Sequence, residues 1–358
     1  LTKDKQTLII LSPGFPASEE DTTCLPAQQL FVQTLKKKFP SLNIIVIAFE
    51  YPFSRSEYMW NKIKVISFNG WKKSRIVKLF LWRDINKTLK KIKDENNIIG
   101  LLSFWYGQCA FIGKKFGKKY SIKHYCWIFG QDAKKNNRYV TYIKPQADEL
   151  IALSDFIQSE FKKNHSVTPP HIIPLGIGQN KFSTGSIKRD IDLLGAGSLI
   201  PLKQYEISIE VAAELKKSKP DIHALVCGRG PEKNKLQLLI NKLGVNENVT
   251  LTGELPHEEV LQLMKRTKIF LHPSSYEGFG VVCLEALSAG AHVISFIQPM
   301  KQKIDHWHII KTKKEMVDKA NEILKNEKTD HQPVIPYSMN DTVRSIMKLF
   351  NYKEAATS

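Results

Sequence analysis

The sequence is short of cysteine pairs, of long apolar runs and of acidic charge, and each shortage excludes something. Its five cysteines, Cys24, Cys109, Cys126, Cys227 and Cys283, are scattered without a C-x-x-C pair. That pattern offers neither structural-zinc spacing nor a disulfide framework, and it suits a reducing compartment. No uninterrupted apolar segment reaches the roughly 20 residues of a membrane-spanning helix, and residues 8–11 are too short for a signal-peptide core. Against 53 Lys and Arg stand only 35 Asp and Glu, a formal charge of +18. Such an excess attracts nucleic acid, anionic lipid or phosphorylated substrates without choosing among them.

What is present is ordinary globular material, 358 residues with 42% hydrophobic and 25% charged side chains, long enough for two domains. Apolar runs at 8–11, 43–49, 64–68, 98–102, 124–129, 149–154 and 171–175 read as buried strands, with helical patterns at 28–37 and 157–163, an alternating α/β grammar. After a polar linker at 181–188 a fresh series begins. Its strands are expected at 192–196, 223–227, 249–252, 269–271 and 292–296, and its helices at 205–217, 233–243, 257–266, 280–288 and 313–324. The expected domains are 1–182 and 183–335, followed by a C-terminal helical segment, 336–358. That last helix has a cap at Ser338 or Asn340 and a stripe of Val343, Ile346, Met347 and Phe350. No internal repeat is evident.

The densest chemistry lies in Tyr276-Glu277-Gly278-Phe279-Gly280 followed by Val281-Val282-Cys283-Leu284-Glu285. Two carboxylates flank a glycine-rich turn between a strand and a helix, whose first N–H groups can face an anion. The spacing lets Glu277 and Glu285 reach different parts of one elongated ligand; a plain helix cap with a solvated glutamate is the structural alternative. Lys203 stands beyond the turn Gly195-Ala196-Gly197-Ser198-Leu199, where a solvent-facing lysine is the bland reading. Arg229 sits in the strand-end loop Cys227-Gly228-Arg229-Gly230-Pro231, and Gly14 in Ser12-Pro13-Gly14-Phe15-Pro16.

The run HPSSYEGFGVVCLEALSAGAHVISF resembles the E-x7-E signature of the retaining glycosyltransferases of family four. The resemblance implies an α/β GT-B fold, with two Rossmann-like doubly wound domains facing across a cleft and the last helix crossing back to the N-terminal domain. It implies a nucleotide-diphosphate sugar donor bound by the C-terminal domain, an acceptor on the N-terminal side, and no required metal. No D-x-D motif is expected to supply carboxylates for a donor-bound divalent metal. Glu277 would lie by the donor sugar, Glu285 on the ribose, and the amides around Gly278, Phe279, Gly280 and Val281 towards the distal phosphate. Lys203 matches the lysine of G-R-L-x-x-x-K that meets the diphosphate beside Gly197, so Lys203 and Glu277 carry the catalytic expectation. Gly14 matches a glycine whose backbone approaches donor phosphate or acceptor.

Several positions depart from the family pattern. Ser198 replaces an arginine, with Arg229 a candidate compensation; Phe129 replaces the histidine of an H-G-x-D loop; Gly178 replaces an aspartate. Asp132 keeps its acidic position and reads equally as a hydroxyl-orienting group or a helix cap. Residues 298–300 lack the usual glycine-rich loop, and His306-Trp307-His308 reads as loop packing. These departures keep open a catalytically weakened sugar- or nucleotide-binding scaffold.

The basic charge concentrates in the first domain. Residues 71–93 interleave Lys72, Lys73, Arg75, Lys78, Arg83, Lys87, Lys90, Lys91 and Lys93 with Ile76, Phe80, Leu81, Ile85 and Leu89, a mixture that suits either an interfacial helix or a buried face with a wet basic one. Lys114, Lys115, Lys118, Lys119 and Lys123 add to it. The expectation is a cytoplasmic enzyme resting on an anionic inner membrane face and glycosylating a glycan or lipid-linked acceptor in envelope polysaccharide or glycolipid synthesis. No nucleic-acid recognition motif supports the alternative partner.

Overall fold

The computed structural model describes residues 5–178 and 188–352. The boundary expected at 182–183, and all of the 181–188 linker but Lys188, lie outside the described residues. The chain divides into two compact units, 1–178 with 337–358, and 179–336.

The first unit runs β1 (Gln6–Gly14), α1 (Pro26–Lys38), β2 (Asn43–Tyr51), β3 (Arg55–Trp60), β4 (Ile63–Phe68), α2 (Arg75–Glu95), β5 (Asn97–Phe104), α3 (Gln108–Tyr120), β6 (His124–Ile128), α4 (Arg138–Ile143), β7 (Leu150–Ala152), α5 (Asp155–His165) and β8 (His171–Ile172). The strands order as β3-β4-β2-β1-β5-β6-β7-β8. Central β1 is parallel to both neighbours, Ile9 opposing Ile45 and Leu101. Its run Leu8 to Leu11 is wholly buried, as a strand covered on both faces requires. β3 is antiparallel to β4, and Asn61 and Lys62 between them take φ of 46° and 61°, the left-handed backbone of a tight hairpin. The polar Arg55-Ser56-Glu57 start of β3 hid it from a reading based on apolar runs.

Helix α2 has two different halves. Ile85, Leu89 and Ile92 are buried against the sheet, whereas Ile76, Val77, Leu79 and Phe80 of its first turns are exposed.

The second unit runs β9 (Ile191–Ala196), α6 (Tyr205–Lys216), β10 (Ala224–Cys227), α7 (Lys233–Leu243), β11 (Val249–Gly253), α8 (His257–Lys265), β12 (Thr267–His272), α9 (Val281–Ser288), β13 (His292–Ser295), β14 (Trp307–Ile309) and α10 (Lys313–Lys325). Its parallel sheet orders as β11-β10-β9-β12-β13-β14, the doubly wound arrangement in which chain progression reverses at the first strand. The last strand, β14, includes Trp307 and His308 and corrects the loop reading there; its short run lacked an apolar stretch long enough to announce it.

Helix α11 (Met339–Leu349) belongs to the first unit. Ser338 caps it, its Oγ accepting from Asp341 N at 3.1 Å. Val343, Ile346, Met347 and Phe350 are buried, Thr342 Oγ1 donates to Pro174 O at 2.8 Å, and Tyr125 OH donates to Leu349 O at 3.2 Å. Gly176 permits this seat, because a Cβ there would stand 2.2 Å from the Ser338 carbonyl carbon.

Candidate active site

An open parallel sheet receives ligands outside the carboxyl ends of its strands where strand order reverses. In the second unit that point lies between β9 and β12. The loops leaving these two strands are tied together, Ser275 N donating to Leu202 O at 3.0 Å. This tie sets Lys203 against Glu277: Lys203 Nζ donates to Glu277 Oε2, with the side chains only 18% and 22% exposed.

His272, buried at the end of β12, places Nε2 3.2 Å from the same Glu277 oxygen. An ionised carboxylate only accepts, so His272 donates through Nε2–H. Burial pushes the Glu277 carboxyl upward, but the His272 hydrogen bond and the Lys203 ammonium outweigh it and hold the group at about 2. Burial lowers the His272 imidazole against the pull of Glu277. Glu277 is therefore an anion at neutral pH, suited to accepting hydroxyl hydrogen bonds and unsuited to donating a proton.

The floor of the site is packed backbone against backbone. A Cβ on Gly228 would come 1.9 Å from Gly197 O, and one on Gly230 2.2 Å from Leu199 O, so the turn leaving β10 needs glycine at both positions to lie against the turn leaving β9. Gly197 and Ser198 are exposed on the first turn. Arg229, on the adjoining loop, is 80% exposed in its side chain and directs Nε to Glu254 Oε2 at 3.0 Å, away from the Lys203–Glu277 pair.

Gly278, Phe279 and Gly280 are buried, and Gly280 takes φ 78°, the left-handed turn that starts α9. Val281 opens the helix without a side-chain cap and without acidic residues in its first turn, which leaves its amino end suited to an anion. Trp307 backs the turn, its Cη2 lying 3.7 Å from where a Gly280 Cβ would be. One turn further on, Glu285 Oε1 lies 2.8 Å from His257 Nε2, at the start of α8. The hydrogen bond to Glu285 raises the His257 imidazole, and burial opposes it.

The motif reading missed His257 and His272. Neither has a spacing that marks it: His272 ends an apolar strand, and His257 stands 28 residues before its partner.

Other candidates lie elsewhere. Gly14 ends β1 in the first unit, at the point where that unit's strand order also reverses, between β1 and β5. Phe129 is buried in an aromatic cluster, 4.6 Å from Trp105 and 5.1 Å from Trp127 between ring centroids. Asp132 accepts from Tyr106 N at 2.8 Å and Gly130 N at 2.7 Å, the fastening role of a cap. Asp190-Ile191-Asp192, which spells D-x-D, sits at the start of β9, the end away from Gly197; Asp190 accepts from Arg266 Nε at 2.8 Å and Asp192 from Lys268 at 2.8 Å. Among the described residues no group of three or more His, Cys, Asp and Glu could hold a metal ion, and no helix is long and apolar enough to cross a membrane.

Residues 177–335 match the family described as Glycosyl transferases group 1. The chain is 30% identical over 164 residues to the phosphatidylinositol N-acetylglucosaminyltransferase gpi3 subunit of Schizosaccharomyces pombe, covering 44% of this chain and 36% of that protein. It is 27% identical over 172 residues to the GtfA subunit of the UDP-N-acetylglucosamine–peptide N-acetylglucosaminyltransferase of Streptococcus parasanguinis, covering 46% and 33%. The matches thus span little more than a third of these curated relatives. Among solved structures, sucrose-phosphate synthase from Thermosynechococcus elongatus superposes with a TM-score of 0.69 at 15% identity, covering 96% of this chain and 95% of that one. An Anabaena protein solved with UDP and glucose gives 0.66 at 15%, covering 96% and 95%. The chain has the GT-B fold, and its residues 177–335 are similar to group 1 glycosyl transferases.

Proposed function

We propose that the chain is a retaining glycosyltransferase that moves a sugar from a nucleotide-diphosphate sugar to an acceptor hydroxyl without a required metal. The observation that carries this reading is the convergence of Lys203, Glu277 and the amino end of α9 at the strand-order reversal of the second unit. In the proposed reaction Lys203 and the N–H groups around Phe279, Gly280 and Val281 stabilise the separating diphosphate, supported by the close backbone at Gly197 and Ser198. Glu277, held ionised, accepts from donor-sugar hydroxyls, and Glu285, steadied by His257, accepts from the ribose. Arg229 would have to leave Glu254 to assist. Gly14 supplies a close backbone approach for phosphate or acceptor.

The acceptor is proposed to be a glycan or a lipid-linked group, in envelope polysaccharide or glycolipid synthesis, with the basic first unit resting on an anionic membrane at its cytoplasmic face. A second reading, a weakened sugar- or nucleotide-binding scaffold, is favoured by Ser198, Phe129 and Gly178 where the resembling enzymes carry Arg, His and Asp.

The test is nucleoside diphosphate release across a matrix of nucleotide sugars and acceptors, with the product's anomeric configuration read by NMR. Turnover with retention supports the proposal, and inversion contradicts the stereochemistry. Donor binding without turnover on any acceptor selects the scaffold reading.

A further inference from the structure

The first two turns of α2 expose Ile76 at 69%, Val77 at 45%, Leu79 at 62% and Phe80 at 62%. Immediately before the helix, Trp71 is 49% exposed, and its ring lies 6.4 Å from that of Phe53, which is 61% exposed. Large side chains scattered singly on a surface need no explanation, but a contiguous set does.

The helical repeat sharpens the observation. Residues 76, 77, 79 and 80 fall on one half of the helix, opposite the buried stripe of Ile85, Leu89 and Ile92. Continuing along the same outward half, the chain places Arg83, Lys87 and Lys90, all exposed. The outward stripe is therefore apolar at its start and basic beyond. Between residues 71 and 83 there are five basic residues, Lys72, Lys73, Arg75, Lys78 and Arg83, and no Asp or Glu.

We propose that this face docks on an anionic bilayer, Leu79 and Phe80 entering the headgroup boundary while Arg83 and Lys87 lie along the phosphates. The proposal rests on the membrane-facing reading above and names its surface. Charge complementarity selects this occupant: the arrangement of apolar residues with interleaved lysines, and a tryptophan at the rim, is that of an interfacial helix, and each basic residue near an anionic surface adds to the attraction. A second copy of this basic chain would bring like charges together around the same patch.

The experiment is flotation of the full chain with vesicles of phosphatidylcholine alone or mixed with phosphatidylserine, with thermal unfolding and its response to nucleoside diphosphates measured in parallel. The wild type is expected to float with the anionic vesicles, less so at high salt. Leu79→Glu/Phe80→Glu is expected to reduce that partition about tenfold or more, and Arg83→Gln/Lys87→Gln several-fold, with unfolding and nucleotide response unchanged. Unchanged flotation of Leu79→Glu/Phe80→Glu would overturn the proposal. So would wild-type self-association without vesicle binding that the same variant abolishes. A nucleotide response retained while flotation fails leaves the donor reading standing, so the two fail separately.

Discussion

Lys203 Nζ and Glu277 Oε2 form an ion pair across 74 residues of chain, and His272 Nε2 approaches the same oxygen at 3.2 Å. One carboxylate oxygen thus collects a cation and a neutral donor in a place mostly closed to water, which orients the other carboxylate oxygen.

Removing one member of this pair is expected to cost more than removing both. Lys203→Ala leaves the Glu277 anion largely buried beside a neutral histidine and should destabilise the second unit by about 2 kcal/mol, lowering its unfolding midpoint by about 5 °C. Lys203→Met/Glu277→Gln should recover much of that loss while abolishing transfer. Calorimetry of both variants checks it, and a double variant less stable than the single one would contradict it.

The pH dependence of this pair follows from the direction of the shift. Glu277 is held at about 2, below its ordinary 4.5. Its contribution to stability is full above the unfolded value and is lost as pH falls through the folded one. Glu277→Gln should therefore flatten the acid limb of the stability curve below about pH 4.5, measured as unfolding midpoint against pH.

A second acid-sensitive group surrounds His292, whose Nδ1 lies 3.0 Å from His308 Nε2 and whose ring stacks 4.4 Å from that of His306. Burial lowers His308 and His331 to about 4 each, and His292 below its ordinary value. Folding thus favours the neutral rings. The contribution is full above the ordinary 6.5 and falls as pH drops towards 4. The thermal unfolding midpoint should fall on going from neutral to about pH 5, and His308→Gln should reduce the drop. An identical drop in the variant would count against the cluster as its source.

How much of this was legible in the sequence varies by residue. The strands of both units announced themselves because a parallel strand covered on both faces is a continuous apolar run, as at residues 8–11 and 269–271. Glu277, Gly280 and Glu285 were visible because the glycine turn and the two carboxylates are adjacent in the chain. Strand β3 was not, since its exposed edge position leaves polar side chains at Arg55, Ser56 and Glu57. His257, His272 and the ring cluster at His292 were also hidden. Their partners come from other strands and helices, and a single histidine in an apolar run carries no sign of what it will face.

The fastening role of Asp132 gives a test that separates structure from chemistry. Asp132→Ala would strip the acceptor from the buried N–H groups of Tyr106 and Gly130 and should cost about 2–3 kcal/mol. Asp132→Asn should cost less, and neither should alter the response to nucleoside diphosphate. Loss of that response at unchanged stability would assign Asp132 to the ligand.

His257 is expected to act on the proposed donor site through Glu285, which it meets at 2.8 Å. Its imidazole should titrate above its ordinary value, because the hydrogen bond to Glu285 favours the charged ring, and Glu285→Gln should return it towards that value by NMR. His257→Ala should weaken nucleotide binding several-fold, about 1 kcal/mol, through a loosened Glu285, with kcat less affected than KM.

The most direct measurement of the central claim is thermal unfolding of the wild type with a saturating panel of nucleoside diphosphates and nucleotide sugars, repeated with Glu285→Ala. The account predicts selective stabilisation by one nucleotide series, rising by RT ln(1 + [L]/Kd) and lost in the variant. No stabilisation by any member of the panel, or a shift that Glu285→Ala leaves intact, would contradict the placement of a donor site at α9.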